Sequence, residues 1–260
     1  MFVGGFDISL LFIPLFVGVM VTLTHVPLGQ VVLARGIIFM DIAIAQFAGL
    51  GVIVADALGY EAHGWGVQIS AGGAALLGSL AFNWTERHWP DVQEALIGVG
   101  FVLASTGGIL VLSNNPRGAE NLKDLLVGQI IWVLPREAFG HGILYALLLT
   151  AWFGFRQRLG RPGFYAIFAL AVMASVQLVG VFLVFATLVL PALATRRLPD
   201  GPVRLWVSYG LGFASYALGL VLSAAYDVST GATIVWVFAA LALATGFAIG
   251  ARHWWTARAA

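Results

Sequence analysis

The chain has 260 residues, 60% of them hydrophobic and only 10% charged, against roughly a quarter charged in a soluble domain; it cannot cover a soluble surface. A net charge of +1 without a basic run gives no purchase for nucleic acid. The absence of cysteine excludes disulfides, thiolate metal sites and iron–sulfur clusters, so any metal falls to His, Asp, Glu, Gln or backbone oxygen.

A helix needs about 20 apolar residues to cross the hydrocarbon core, and runs of that order follow one another along the chain. The first covers Ile8 to Ala34 and is interrupted by a turn-like stretch, His25-Val26-Pro27-Leu28-Gly29. No basic stretch precedes it and no clear small-residue cleavage site follows, so it reads as a retained first span. The second, Gly36 to Leu58, carries Asp41 in its early part and Asp56 at its far end; the third runs from Gly66 to Thr85 and the fourth from Ala95 to Ser113. Within the segment from Asn114 to Glu137, the apolar portion Leu125 to Pro135 is predicted to dip back into protein. A fifth span covers Ala138 to Phe155, and the last two cover Leu205 to Tyr226 and Val228 to Ala251.

Between them, Gly163 to Thr195 has no charge at all. It is too long for one straight crossing and too short for two. Either one helix continues to an interfacial end, or a full helix is followed by a broken half-helix around Gly180–Pro191. Arginines decide for the second: Arg156, Arg158 and Arg161 precede the run, and Arg196, Arg197 and Arg204 follow it. The positive-inside rule places both clusters in the cytoplasm, so the chain goes out and returns between them. By the same rule Arg35, Arg87, Arg252 and Arg258 lie inside, and the N-terminus and Asp227 outside; the exception is Asn114 to Glu137, which this topology places outside despite Arg117, Lys123 and Arg136. Strand-type alternation does not recur at barrel spacing. The predicted fold class is therefore all-α integral membrane: one transmembrane domain over residues 1–260, a polytopic bundle of about eight transmembrane helices.

Glycine is abundant, 32 residues, and clusters on spans at Gly72, Gly73 and Gly78, at Gly98, Gly100, Gly107 and Gly108, and at Gly210, Gly212 and Gly219. Small residues let helices approach closely in lipid, so many spans face other protein, as in a transporter. No internal duplication is visible, which gives no support to an inverted-repeat carrier.

Asp41 is the first candidate for chemistry, because a carboxylate at the centre of a span costs about 2.5–3.5 kcal/mol on insertion scales. Either it serves an ion path or gate, or it lies near the cytoplasmic end and pairs with Arg35 or snorkels. Gln46 lies five residues on, about 140° around the helix, so the two side chains do not aim at one ion; interhelical hydrogen bonding suits Gln46 better, and Gln177 likewise. Glu61 and His63 have the spacing of a weak ligand pair on an external loop, though a solvated loop is the better reading, and His253 with Trp254 and Trp255 reads as an interfacial anchor. No metalloprotease motif, nucleophile elbow or phosphate-binding loop is present. The chain is not expected to be an enzyme, and any ATP site belongs on another chain.

Five stretches, in order, resemble the permease subunit of bacterial ABC importers for zinc, manganese or iron. They are Pro27-Leu28-Gly29-Gln30-Val31-Val32-Leu33-Ala34-Arg35 with the Asp41 helix and Gly49-Leu50-Gly51-Val52; Glu94-Ala95-Leu96-Ile97-Gly98-Val99-Gly100-Phe101; Leu125-Leu126-Val127-Gly128-Gln129-Ile130-Ile131; Val179-Gly180-Val181-Phe182-Leu183-Val184-Phe185 running into Leu190-Pro191-Ala192-Leu193-Ala194-Thr195-Arg196; and Tyr226-Asp227-Val228-Ser229-Thr230-Gly231-Ala232-Thr233. The resemblance implies a multi-pass permease of the cytoplasmic membrane, working as a homodimer. It implies an extracytoplasmic metal-binding protein that delivers a divalent ion, zinc or manganese first, and a separate cytoplasmic ATPase; no permanently bound cofactor is implied beyond the transported metal.

Two departures bear on the site. Aligned on Gly51, the family's Asp and His on the second span fall at Ile42 and Gln46, with Asp41 one residue early; Asp41 and Gln46 are thus the candidates for the transport path, Asp41 for the metal. The family's cytoplasmic coupling helix is reduced to Arg156-Gln157-Arg158-Leu159-Gly160-Arg161-Pro162, leaving Arg156, Arg158 and Arg161 for ATPase coupling. A carrier without an ATPase and a non-transporting membrane scaffold stand as the alternatives.

Overall fold

The structure, a computed structural model, describes residues 2–3, 6–7, 11–61, 64–113, 128 and 130–259, with side chains at all but 2–3, 6–7, 156 and 252–259. Two short strands, β1 (Phe2–Val3) and β2 (Phe6–Asp7), pair antiparallel. Everything else that is regular is helical: α1 (Phe12–Arg35), α2 (Met40–Ala57), α3 (Trp65–His88), a 3₁₀ turn Pro90–Val92, α4 (Gln93–Leu112) and a second 3₁₀ turn Ile130–Trp132. A helical stretch Pro135–Val179 is interrupted at Gly160, which divides it into α5 (135–159) and α6 (161–179). Then come α7 (Val181–Ala194), α8 (Pro202–Tyr226) and α9 (Thr230–Ala259). Among the described residues eight helical segments are long and apolar enough to cross a membrane, and α7 is a shorter apolar helix. This is the all-α architecture expected from the apolar runs.

Helix ends follow local chemistry. Gly36 (φ 71°) and Gly59 (φ 83°) close α1 and α2 in the left-handed region, where the absence of a Cβ removes the steric penalty. Asp227 does the same at the end of α8, with φ 52°; aspartate is among the few L-residues that tolerate this. Pro202 opens α8 in its first turn, where the missing N–H has no helical partner to lose.

The chain divides into two compact units. One comprises Arg35–Gly128 and Leu144–Val181. Here α2 packs on α3 and α4, with Phe47 edge-on to Phe82 and with Gly78 and Gly100 against those rings. Ser79 donates to the Tyr165 carbonyl at 2.6 Å, Tyr145 bonds Ser175 at 2.7 Å, and Gln68 donates to Gln177 at 2.8 Å. The last contact makes Gln177 an interhelical hydrogen-bonding group. Not every clustered glycine serves packing: a Cβ at Gly73 or Gly98 would meet nothing within 4 Å.

The other unit comprises Met1–Ala34, Gln129–Ile143 and Phe182–Ala260. The expected interruption of the first span does not occur, because α1 runs unbroken through His25–Gly29. Pro27 has no N–H for the carbonyl of Leu23, one turn back, and that carbonyl instead accepts the Tyr209 hydroxyl at 3.1 Å. A tertiary hydrogen bond thus keeps the helix intact. Gly29 lets α1 meet α7 backbone to backbone, since a Cβ there would strike the Leu188 carbonyl oxygen. Thr187 bonds Tyr216 at 3.0 Å and Thr195 bonds Ser208 at 2.9 Å, tying α7 to α8 through buried hydroxyls.

The long uncharged run resolves as a full helix followed by a short one. The break is a single residue, Gly180 (φ 81°), and α7 then has 14 residues, about 21 Å. Pro191 lies inside α7 and does not break it, and this short helix stands where the half-helix around Gly180–Pro191 was expected. At the same place Gly128 (φ 69°) presses on the backbone of Val179 and Gly180, where any Cβ would clash. Within the described part of the Leu125–Pro135 portion Ile130 is buried, whereas Trp132 and Leu134 are exposed.

Candidate functional site

Polar groups gather where α1 ends and α2, α3 and α4 begin or end. Arg35, in the last turn of α1, lies 3.9 Å from Glu86 near the end of α3 and sits over the Phe164 ring at 4.5 Å. Its charge faces a carboxylate and a π face, but Arg35 Nη1 and Glu86 Oε2 are buried without a hydrogen bond; no ion pair of Arg35 with Asp41 occurs among the described residues.

Asp41 occupies the first turn of α2 and is 1% exposed. The backbone N–H groups of Asp41 and Ile42 face its carboxylate, the favourable arrangement for an anion at a helix N-terminus. Its Oδ1 is nevertheless buried without a hydrogen-bond partner. Glu94, in the first turn of α4, lies close enough for its charge to act on Asp41. One Glu94 oxygen accepts the Phe39 N–H at 3.2 Å, just before α2, while the other is buried and unpartnered. Two carboxylates from two helix N-termini thus converge, each with an oxygen that no donor among the described residues meets. Such oxygens suit a hard or borderline cation.

Gln46 is half-buried further along α2, and the helix is continuous between it and Asp41. At about 100° per residue the two therefore point roughly 140° apart. Ile42, at the family's Asp position, is half-buried as well. Arg158 and Arg161 are exposed on either side of the Gly160 break, and the Arg156 side chain lies outside the described residues. His63 is also outside them; Glu61 is exposed. Among the described residues no group of three or more His, Asp or Glu is placed to hold a metal ion.

Glu94 is the residue that sequence reasoning missed as a site residue. Its signal was the one that singled out Asp41, a carboxylate at the mouth of an apolar run, but only packing of α2 on α4 shows that the two meet.

Among the described residues, eight helices long and apolar enough to cross a membrane, a short helix set off by a glycine break and a buried carboxylate with one unpartnered oxygen are the features of a multi-pass membrane transport protein. The chain matches the ABC 3 transport family over residues 7–164 and 153–248. It belongs to that family: it is an ABC permease subunit whose ATPase is a separate chain. It is 27% identical over 235 residues to an uncharacterised membrane protein of Synechocystis, covering 81% of this chain and 80% of that one. It is 26% identical over 237 residues to a manganese transport system membrane protein of Halalkalibacterium halodurans, covering 82% and 78%. In fold it is similar to PsaBC from Streptococcus pneumoniae, solved in complex with Fab, with a TM-score of 0.74, 20% identity and 92% and 91% of the two chains covered.

Proposed function

We propose that this permease serves an ATP-driven importer for a divalent transition-metal ion, manganese or zinc, in the bacterial cytoplasmic membrane. It takes the ion from an extracytoplasmic binding protein and passes it through a homodimer. The observation that carries this reading is the buried Asp41 carboxylate with its unpartnered Oδ1 beside Glu94. A bare carboxylate oxygen at membrane depth is unfavourable unless something visits it, and a passing cation is the visitor that the site's charge selects. The manganese-transport relative adds support for the cargo class. Asp41 is the ion's oxygen ligand on the path, Gln46 offers an amide oxygen further along α2, and Arg156, Arg158 and Arg161 form the reduced contact for the ATPase.

The test is uptake of radioactive manganese and zinc by proteoliposomes that hold the permease with its ATPase. Losing even an outer-shell partner of a metal costs about 10–100-fold, so Asp41→Asn is expected to lower uptake by roughly tenfold or more while the assembled complex is retained. Unchanged uptake in that variant removes Asp41 from the path.

One observation favours a second reading, a carrier that works without ATPase: the link between α5 and α6 is a single glycine, with no room for a docking helix. Metal flux of equal rate with and without ATP, in liposomes lacking the ATPase, would select it.

A further inference from the structure

Along α1, Gly18, Thr22, His25 and Gly29 fall within about 60° of one another, at about 100° per residue. Within its unit this is the face that α7 and α8 cover. A Cβ at Gly18 would strike the Tyr216 ring, one at Gly212 would strike the Thr22 side chain, and one at Gly29 would strike the Leu188 backbone. His25, on that face, is 0% exposed. It lies about 20 Å from the start of α1 and about 15 Å from its end, close to the middle of a hydrocarbon core about 30 Å thick. Its Nδ1 is 3.1 Å from the Val21 carbonyl oxygen, which can only accept, so Nδ1 carries the proton. In the neutral ring Nε2 then holds a lone pair, and it is buried without a partner. Thr22 Oγ1, one turn back on the same face, is likewise buried and unpartnered. The other buried serines and threonines described in this unit are all paired, as Thr24 to the Met20 carbonyl and Ser215 to the Leu211 carbonyl.

We infer that His25 Nε2 and Thr22 Oγ1 form a binding site for a divalent transition-metal ion at membrane depth, on a helix and in a unit other than those of Asp41. That the ion is the permease's cargo rests on the proposed function; that the site binds one does not. Two bare polar atoms side by side in hydrocarbon are costly, and an apolar residue at either position would remove the cost. A threonine inside a helix ordinarily bonds the carbonyl one turn back, and Thr22 keeps its oxygen free of that bond. The Nδ1–H held by a backbone carbonyl is the arrangement that fixes the tautomer and the ring of a metal-ligating imidazole. An imidazole nitrogen beside a hydroxyl oxygen suits a borderline divalent ion. Two neutral donors also hold it loosely enough for release, as a station for a moving ion must. Asp41 and Glu94 offer only oxygen, and His25 is the one fully buried histidine among the described residues. A water molecule bridging Nε2 and Oγ1 is the competing occupant.

The test uses the full-length permease, purified in detergent without a histidine tag and titrated with manganese(II). Pulsed electron paramagnetic resonance reads whether an imidazole nitrogen is bound to the manganese. That nitrogen modulation is expected in wild type and in Asp41→Asn, and should vanish in His25→Asn. Losing even an outer-shell partner costs about 10–100-fold in metal affinity, so losing the imidazole itself should weaken this binding by about tenfold or more. Thr22→Val keeps the side-chain shape and removes the hydroxyl. It should bind manganese severalfold more weakly with the nitrogen modulation retained, and it carries the test if His25→Asn does not fold. Wild type without nitrogen modulation overturns the proposal, and is the result a bridging water gives. Modulation that persists in His25→Asn also overturns it, as does Thr22→Val binding as tightly as wild type. None of these readings depends on uptake, so a permease that fails to transport and a site that fails to bind give different results.

Discussion

At the level of single residues, buried polar atoms are the informative ones. A transmembrane proline normally leaves a carbonyl unsatisfied, and in hydrocarbon no water is present to meet it. Here Tyr209 supplies the missing donor to Leu23. Tyr209→Phe should therefore destabilise the fold by about 0.6 kcal/mol, the typical value for such a bond in a membrane protein. Combined with Pro27→Ala, which restores the N–H, the loss should largely disappear; a double-mutant cycle on melting in mild detergent reads the coupling. The oxygens of Asp41 and Glu94 are the opposite case. Among the described residues no donor meets Asp41 Oδ1 or Glu94 Oε2, which suits a group kept for a passing ligand and would be costly in one that only supports structure.

At the level of elements, the α6–α7 break is set by one backbone angle. Gly180 has φ 81°, a region an L-residue enters at a cost of about 1–3 kcal/mol. Gly180→Ala is expected to lower stability by that order and to shift the melting temperature downward. Gly154 provides the control: it is helical and a Cβ there meets nothing within 4 Å, so Gly154→Ala should be neutral or stabilising by up to about 1 kcal/mol. If both substitutions behave alike, the Gly180 angle is not what holds the break. The α5–α6 junction has the same construction at Gly160 (φ 59°). The two junctions bracket α6 and leave α7 as an independent short helix.

For the whole molecule, the arginine distribution predicts sidedness, and the absence of natural cysteine makes the prediction direct to test. Single cysteines replace Ser229, exposed after α8, and Pro199, exposed after α7. A membrane-impermeant thiol reagent should label Ser229→Cys in intact cells and Pro199→Cys only after permeabilisation. Labelling of both from outside would remove the positive-inside assignment, and with it the cytoplasmic placement of Arg196 and Arg197.

Class and element number were legible in the chain because bilayer thickness imposes one length on every span, and a run of about 20 apolar residues announces itself without reference to any neighbour. The short α7 was legible for the same reason, since Gly163–Thr195 fits neither one crossing nor two. The continuity of α1 through Pro27 was not legible, because it depends on Tyr209, far along the chain; the Asp41–Glu94 approach was not, because it depends on α2 packing against α4. Apolar length is a local quantity that one sequence records in full. Which polar atoms find partners is decided between elements, and only the tertiary structure brings those elements together.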